Sequence, residues 1–155
     1  MIKLAIALAV LAVLALVWRQ RARRHREAFI DQFPYTEFLD RRLAARRPGL
    51  TPEQRGEVFV GLRDYFQLCR MGGRRMVAMP SQAVDDAWHE FILFTRHYAR
   101  FCNGAFGRFL HHTPAEAMRT PTEASDGIKR AWRLACAREG IDPARPKRLP
   151  RLFAL

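Results

Sequence analysis

LAIALAVLAVLALVW, residues 4–18, is an unbroken apolar run close to the N-terminus of the sequence. Lipid offers backbone groups no hydrogen-bond partner, so an apolar run that enters a membrane must be helical. At ~1.5 Å per residue the run reaches ~22 Å, which is short of a ~30 Å hydrocarbon core. Met1 and Ile2 lengthen it, and the side chains of Lys3 and Arg19 can extend outward from its ends. The run therefore predicts a single transmembrane helix.

Five arginines follow the apolar run at once: Arg19, Arg21, Arg23, Arg24 and Arg26. The positive-inside rule then places the short amino end outside and the residues from about 19 onward in the cytoplasm. A secretory signal carries its positive charge before the apolar run and ends at a small-x-small cleavage site, and this segment has neither feature. We expect an uncleaved single-pass anchor in an inner (cytoplasmic) membrane, and the Arg- and Ala-rich composition suggests a bacterial one.

The charge of the chain is divided between the anchor and the rest. The chain carries 27 Lys+Arg against 15 Asp+Glu, a net charge of +12, and residues 1–26 hold six of the cations and no acid. Each basic side chain near an anionic leaflet contributes about 1 kcal/mol, so the five arginines are expected to bind anionic lipid head groups. Because no DNA- or RNA-binding motif accompanies the basic charge, nucleic acid is not an expected partner.

After the anchor (residues 1–26), the sequence predicts a compact cytoplasmic helical domain over 27–142 and a Pro/Arg-rich tail over 143–155. Thr-Pro helix-start signals, with Glu or Gln three residues after the threonine, begin at Thr51, Thr113 and Thr120. Two helical apolar patterns end at glycines: Val58, Leu62, Tyr65, Phe66 and Cys69 before Gly72-Gly73, and Ile128, Ala131, Trp132, Ala135 and Cys136 before Gly140. No segment alternates as a strand would, so we expect an all-α class with about four to five helices in the domain.

Three cysteines, Cys69, Cys102 and Cys136, are widely separated and form no Cys-x-x-Cys pair. An odd number of cysteines in a cytoplasmic domain favours reduced thiols over a disulfide framework. We expect them to be small core residues.

The centre of the chain, residues 81–103, predicts one helix closed by Gly104. At 100° per residue, seven of its residues share a broad apolar face: Val84, Ala87, Trp88, Phe91, Thr95, Tyr98 and Cys102. Ile92 and Leu93 flank His89 on the opposite, polar stripe, where two large aliphatic side chains would be unusual if the stripe faced solvent. A second element is therefore expected to cover the His89 side, and the candidate is the segment 106–113.

Charged side chains near His89 suggest a site. Asp85 lies one helical turn before His89 and Asp86 lies three residues before it, so either carboxylate can reach the imidazole. If His111 or His112 folds over them, two or three imidazoles and a carboxylate converge, which suits a divalent transition metal.

Two features of the sequence leave undecided whether a metal is expected at this site. Glu90 is placed to act as a base, but position 93, where the His-Glu-x-x-His pattern needs its second histidine, is Leu. Asp85 can also simply orient His89 and hold the central helix against the His111-His112 loop. The sequence therefore predicts no cofactor, with a divalent metal as the alternative.

Val84-Asp85-Asp86-Ala87-Trp88-His89, preceded by Pro80 and followed by Tyr98, resembles the Asp-x-x-Trp-His signature of the glycine-rich domain-containing protein-like family. The similar block runs over residues 79–118, about a quarter of the chain. The resemblance implies a second histidine two positions after the first, where this chain has Phe91, and a glycine-rich region, whereas the nine glycines here are scattered. It implies a site near the motif and no particular reaction.

Two functions remain open at this point. The first is a membrane-tethered helical interaction or ligand-binding module with its site at Asp85, Trp88, His89 and the His111-His112 pair, and with a protein partner still to be identified. The second is a small metal-dependent enzyme that uses Asp85, His89 and one of the two loop histidines. Nothing in the sequence matches a nucleotide-binding loop, a nucleophile elbow or a paired-cysteine zinc site. We therefore favour the interaction or ligand-binding module over the enzyme.

Overall fold

The computed structural model describes residues 2–112 and 121–155, and within these ranges the chain forms seven α-helices and no strand. The all-α class is confirmed. The helices are α1 (Ile2–Gln32), α2 (Tyr35–Arg46), α3 (Pro52–Gly72), α4 (Gln82–Leu93), α5 (Thr95–Phe106), α6 (Pro121–Glu139) and α7 (Arg151–Ala154).

The first helix, α1, runs without a break from the apolar segment into the domain. Its N-terminal part projects from the rest of the molecule with its apolar side chains exposed, and Ile30 is its first fully buried residue. The helix is long and apolar enough to cross a membrane. Its last turns pack against α3 and α5, where the ring of Phe29 stacks on Phe101 at 6.1 Å between centroids.

The central helix of the domain is α3, which contacts α1, α2, α4, α6 and α7. It begins with the expected capping box, because the Thr51 hydroxyl accepts from the Gln54 amide (3.2 Å) and the Gln54 side chain accepts from the Thr51 amide (2.8 Å). It ends as expected at the glycine pair, where Gly73 adopts a φ of +64°. Both ends of α3 therefore lie where the capping residues of the sequence predict them.

The expectation of one helix over 81–103 is wrong, because the helix breaks at Phe94 into α4 and α5. In an unbroken helix Trp88 and Tyr98 would stand about 15 Å apart along the axis. The break changes the direction of the chain between α4 and α5, and Trp88 Nε1 donates to the Tyr98 hydroxyl at 3.1 Å. The break also exposes Thr95, which was expected on the apolar face, and leaves Leu93 62% exposed.

The expected helix end at Gly104 is also wrong, since α5 continues to Phe106 and ends at Gly107, in the left-handed region at φ +66°. Gly104 serves a packing role instead. A Cβ added there would lie 2.6 Å from the ring of Phe29. The glycine therefore lets α1 and α5 approach closely.

The C-terminal part of the chain packs on the domain. Leu152 of α7 is 1% exposed, and its neighbour Phe153 lies edge-on to Trp132 of α6, with 5.1 Å between ring centroids. The three cysteines are free and buried, as expected. The helix-start signals at Thr113 and Thr120 lie outside the described residues.

Candidate functional site

A cavity of about 910 Å³ lies between α3, α4 and the segments that follow α3 and α5. Its interior side is formed by buried side chains of α3 and α4, namely Tyr65, Cys69 and Trp88. Its polar wall carries Asp85 and His89 from α4 and the two loop histidines. The motif residues predicted from the sequence therefore share one concave surface.

The carboxylate of Asp85 lies between two imidazoles. Its Oδ2 is 3.2 Å from Nδ1 of His89, and its Oδ1 is 3.0 Å from Nε2 of His112. The two rings are 4.2 Å apart between centroids. One nitrogen from each histidine and one carboxylate oxygen lie within 4.8 Å of one another, which is the spacing of a group that could hold a metal ion.

The segment after α5 is held over this cluster by one hydrogen bond from the buried Tyr98 and by a ring contact with the buried Trp88. The Tyr98 hydroxyl donates to the main-chain oxygen of Leu110 at 2.5 Å and accepts from Trp88 Nε1. The Trp88 ring also lies edge-on to His112, with 4.4 Å between centroids. Because of the break at Phe94, Tyr98 can bind the main chain of Leu110, two residues before His112. This contact helps to hold His112 beside Asp85.

The other predicted residues lie elsewhere. His111 lines the cavity but is exposed and packs against Phe109, outside the cluster. Asp86 forms an ion pair with Arg47 (2.6 Å between Oδ2 and Nε), and Glu90 forms one with Arg42 (2.7 Å between Oε2 and Nε). Both acids therefore connect α4 to the C-terminal half of α2 and the residue that follows it. Glu90 therefore has a structural partner and is not placed as a base for His89.

Arginines around the cavity were not singled out from the sequence. Arg74 and Arg75 follow the end of α3, Arg108 follows the end of α5, and Arg46 comes from α2. The guanidinium of Arg108 donates to the main-chain oxygen of Gly73, which joins the two segments. The signal in the sequence that could have identified them was the Arg74-Arg75 pair, which directly follows the glycines that end α3.

Buried groups of the cavity lining stay neutral at ordinary pH. Burial raises the pKa of the Cys69 thiol to about 12. Burial is also the main cause of the raised pKa of the Tyr65 hydroxyl. Neither side chain is therefore available as a thiolate or phenolate nucleophile. The groups that carry lone pairs or charge at the cavity include the Asp85 cluster and the four arginines.

The five arginines that follow the apolar run lie on α1 with exposed side chains. Arg26 is the last of them and lies against the domain, since a Cβ on Gly107 would be 2.8 Å from its guanidinium. The other four, Arg19, Arg21, Arg23 and Arg24, precede the buried part of the helix.

A comparison with protein-family models identifies the family of the chain. The model of the UCP032817-like family matches residues 25–155, so the chain belongs to that family. The resemblance to the glycine-rich domain-containing protein-like family is thereby overturned. Its Asp-x-x-Trp-His motif occupies only a turn and a half of α4, where Trp88 is required by core packing, and so short a pattern does not identify a family. No curated protein and no solved structure gave a match.

Proposed function

We propose that the chain is a membrane-tethered ligand-binding module and that the ligand at its site is a divalent transition metal ion. The observation that carries this proposal is the convergence of Asp85, His89 and His112 on one wall of the cavity, with a possible ligand atom from each within 4.8 Å of the others. Two imidazoles and a carboxylate are a ligand set that zinc and related metals accept.

The spacing within the cluster supports a metal. Neighbouring ligand atoms of a tetrahedral zinc site lie about 3.3 Å apart, given bonds of about 2.0–2.1 Å. The Oδ1 of Asp85 and the Nε2 of His112 are 3.0 Å apart. In the metal-free state a proton joins this pair as a hydrogen bond, and a bound metal would take the place of that proton.

The orientation of His89 supports a metal as well. Its Nδ1 lies 2.8 Å from the main-chain oxygen of Asp85, and because a carbonyl only accepts, the proton is assigned to Nδ1. The lone pair is then on Nε2. Metal-binding histidines are commonly held in this way, with the second ring nitrogen donating to a carbonyl or carboxylate.

The tether is the second part of the proposal. The length and apolarity of α1 and the five arginines of its flank support a single-pass anchor in the inner membrane of a bacterium, with the amino end outside and the domain in the cytoplasm. The family match begins at residue 25, after most of this flank, so Asp85, His89 and His112 lie within the matched residues.

We propose binding and no reaction. The enzyme alternative needed a base beside the metal, and Glu90 was the residue expected to supply it. Its carboxylate is held by Arg42 of α2 at 2.7 Å. A metal with open coordination positions facing the cavity would bind a further ligand, and this requires no base.

A calorimetric titration of the full-length, chelator-treated protein in detergent with Zn²⁺ and Co²⁺ tests the proposal. We expect saturable binding of one ion per chain and a loss of at least about tenfold in affinity for His89→Asn and His112→Asn, since each removes a ligand. His97→Asn is the matched control, because His97 is exposed and lies outside the cavity. Equal affinity in all four proteins would refute the proposal.

A further inference from the structure

The anchor helix determines which end of the domain lies nearest the membrane. Because α1 is continuous from Ile2 to Gln32, no flexible linker separates the apolar segment from the domain. Arg26 lies eight residues after Trp18, the last residue of the apolar run. At ~1.5 Å per residue this corresponds to about 12 Å along the axis. Whatever packs at the level of Arg26 therefore lies about 12 Å beyond the apolar run.

The C-terminal end of α5 lies at this level. Along α5 the contacts with α1 move toward the anchor: Phe101 stacks on Phe29, Gly104 lies against the same ring, and Gly107 lies against Arg26. The helix therefore runs antiparallel to α1, and the segment that begins at Gly107 starts on the membrane side of the domain.

The C-terminal end of α3 lies on the same side. Gln67 donates to the main-chain oxygen of Glu27 and to the carboxylate of Asp31, whereas Arg70 pairs with Glu27 at 3.4 Å. Burial lowers the pKa of Arg70, and the positive charges of Arg138 and Arg23 act in the same direction. Three residues further on, Gly73 is bound by Arg108.

These two helix ends carry three of the four arginines of the cavity. Arg74 and Arg75 follow α3, Arg108 follows α5, and all three line the cavity. Met71, in the last turn of α3, has a 36% exposed side chain. An edge that combines arginines with an exposed apolar side chain suits the head-group region of a bilayer, where cations meet phosphate and apolar side chains meet the upper acyl chains.

We propose that this edge binds an anionic phospholipid of the bilayer that holds α1, with Arg74, Arg75 and Arg108 contacting the lipid phosphate at the mouth of the cavity. The head-group layer is about 5–8 Å thick on each side of the hydrocarbon core. An arginine side chain on an edge about 12 Å beyond the apolar run spans the remaining distance. The anchor also keeps lipid phosphate at a high effective concentration beside the cavity, which free phosphate in solution lacks.

This inference rests on the proposed tether and is independent of the metal at the Asp85 cluster. It also differs from the attraction of the flank arginines to the membrane surface. Those side chains lie on α1 itself, whereas the proposed contact orders two segments of the domain, residues 71–76 and 107–110.

The test is hydrogen–deuterium exchange of the full-length, metal-free protein in nanodiscs of phosphatidylcholine alone, of phosphatidylcholine with increasing phosphatidylglycerol, and of phosphatidylcholine with added inorganic phosphate. We expect slower exchange of segments 71–76 and 107–110 as the phosphatidylglycerol content rises, and no slowing with inorganic phosphate. Two arginines at about 1 kcal/mol each correspond to about a thirtyfold change in binding. Arg74→Gln/Arg75→Gln should accordingly shift the half-protection point by about that factor or abolish protection.

The matched control is Arg41→Gln/Arg145→Gln, which removes two exposed arginines from α2 and from the C-terminal segment, outside the cavity lining. It should keep the protection of the parent. Slowing by inorganic phosphate alone would show that the cavity takes a free anion and would overturn the lipid assignment. Unchanged exchange in all three discs would overturn the inference while the tether stands, whereas failure of the protein to insert into discs of phosphatidylcholine alone would refute the tether itself.

Discussion

At the scale of single residues, Trp88 joins the core to the site. Its side chain is 3% exposed, its indole nitrogen donates to Tyr98, and its ring contacts both Tyr65 and His112. The burial of Trp88 was expected from helical periodicity. Its contact with His112 was not, because that contact depends on how a loop returns over α4.

Trp88→Ala should lower the free energy of unfolding by about 3–5 kcal/mol, which is typical of truncating a buried aromatic residue. Chemical denaturation of the full-length protein in detergent, followed by circular dichroism, measures the change. Leu93→Ala is the control, since Leu93 is largely exposed and its truncation should cost less than about 0.5 kcal/mol. Equal losses in the two variants would contradict the placement of Trp88.

Asp64 is a second residue with a measurable consequence. Its carboxylate lies 3.5 Å from Arg138 of α6 and 3.5 Å from Arg151 of α7, yet burial outweighs these cations and raises its pKa above 3.8. A carboxyl group with a higher pKa in the folded state stabilises the protein most below the unfolded value. That contribution is lost as pH rises through the folded value.

Asp64→Asn has no proton to lose at this position, so its stability relative to the parent should rise between about pH 3 and about pH 6. Urea denaturation of both proteins at several pH values in this range gives the difference in unfolding free energy. A relative stability that falls with pH would show that the ion pairs with Arg138 and Arg151 dominate the burial of Asp64.

At the scale of elements, the helices with sequence-encoded ends were predictable and the break between α4 and α5 was not. Thr51, Pro52 and the glycine pair define both ends of α3 in the sequence. No glycine or proline marks the break at Phe94, which exists because it lets Phe91 and Tyr98 pack together with 5.2 Å between ring centroids. A tertiary contact of this kind overrides local propensity, and periodicity along one segment cannot reveal it.

The approach of α1 to α5 depends on Gly104. Gly104→Ala would place a Cβ 2.6 Å from the Phe29 ring, and we expect a loss of about 1–3 kcal/mol from overpacking. Gly56→Ala in α3 is the matched control, because a Cβ there meets nothing within 4 Å and should stabilise the helix by about 0.5–1 kcal/mol. Thermal denaturation of both variants distinguishes these signs, and a stabilised Gly104→Ala protein would contradict the close packing of α1 on α5.

At the scale of the whole molecule, a continuous helix links the apolar segment to a helical domain that contains a large cavity. The sequence was sufficient to predict an N-terminal helix long and apolar enough to cross a membrane, the all-α class and the Asp85–His89 pair, because each follows from local composition or spacing. The choice of His112 over His111 and the gathering of Arg74, Arg75 and Arg108 depend on loop paths, which local spacing does not determine.

The orientation that we propose for α1 in the membrane rests on the charges that follow its apolar run. Because five arginines follow the apolar run, a reporter fused after Leu155 should behave as cytoplasmic, active as a fluorescent protein and inactive as a periplasmic phosphatase. Replacing Arg19, Arg21, Arg23, Arg24 and Arg26 with glutamine should produce mixed or inverted orientation. Phosphatase activity from a fusion to the unaltered chain would show that the domain faces the other side.

The most direct test of the central claim is the metal content of the full-length protein, purified without chelator and measured by elemental analysis. A metal site at Asp85, His89 and His112 predicts about one equivalent of one divalent transition metal per chain. The metal should be lost in His112→Asn and retained in His97→Asn. A parent protein that holds no stoichiometric metal, and that takes up none when zinc is supplied, would contradict the claim and leave Asp85 as a hydrogen-bond acceptor that only positions the two imidazoles.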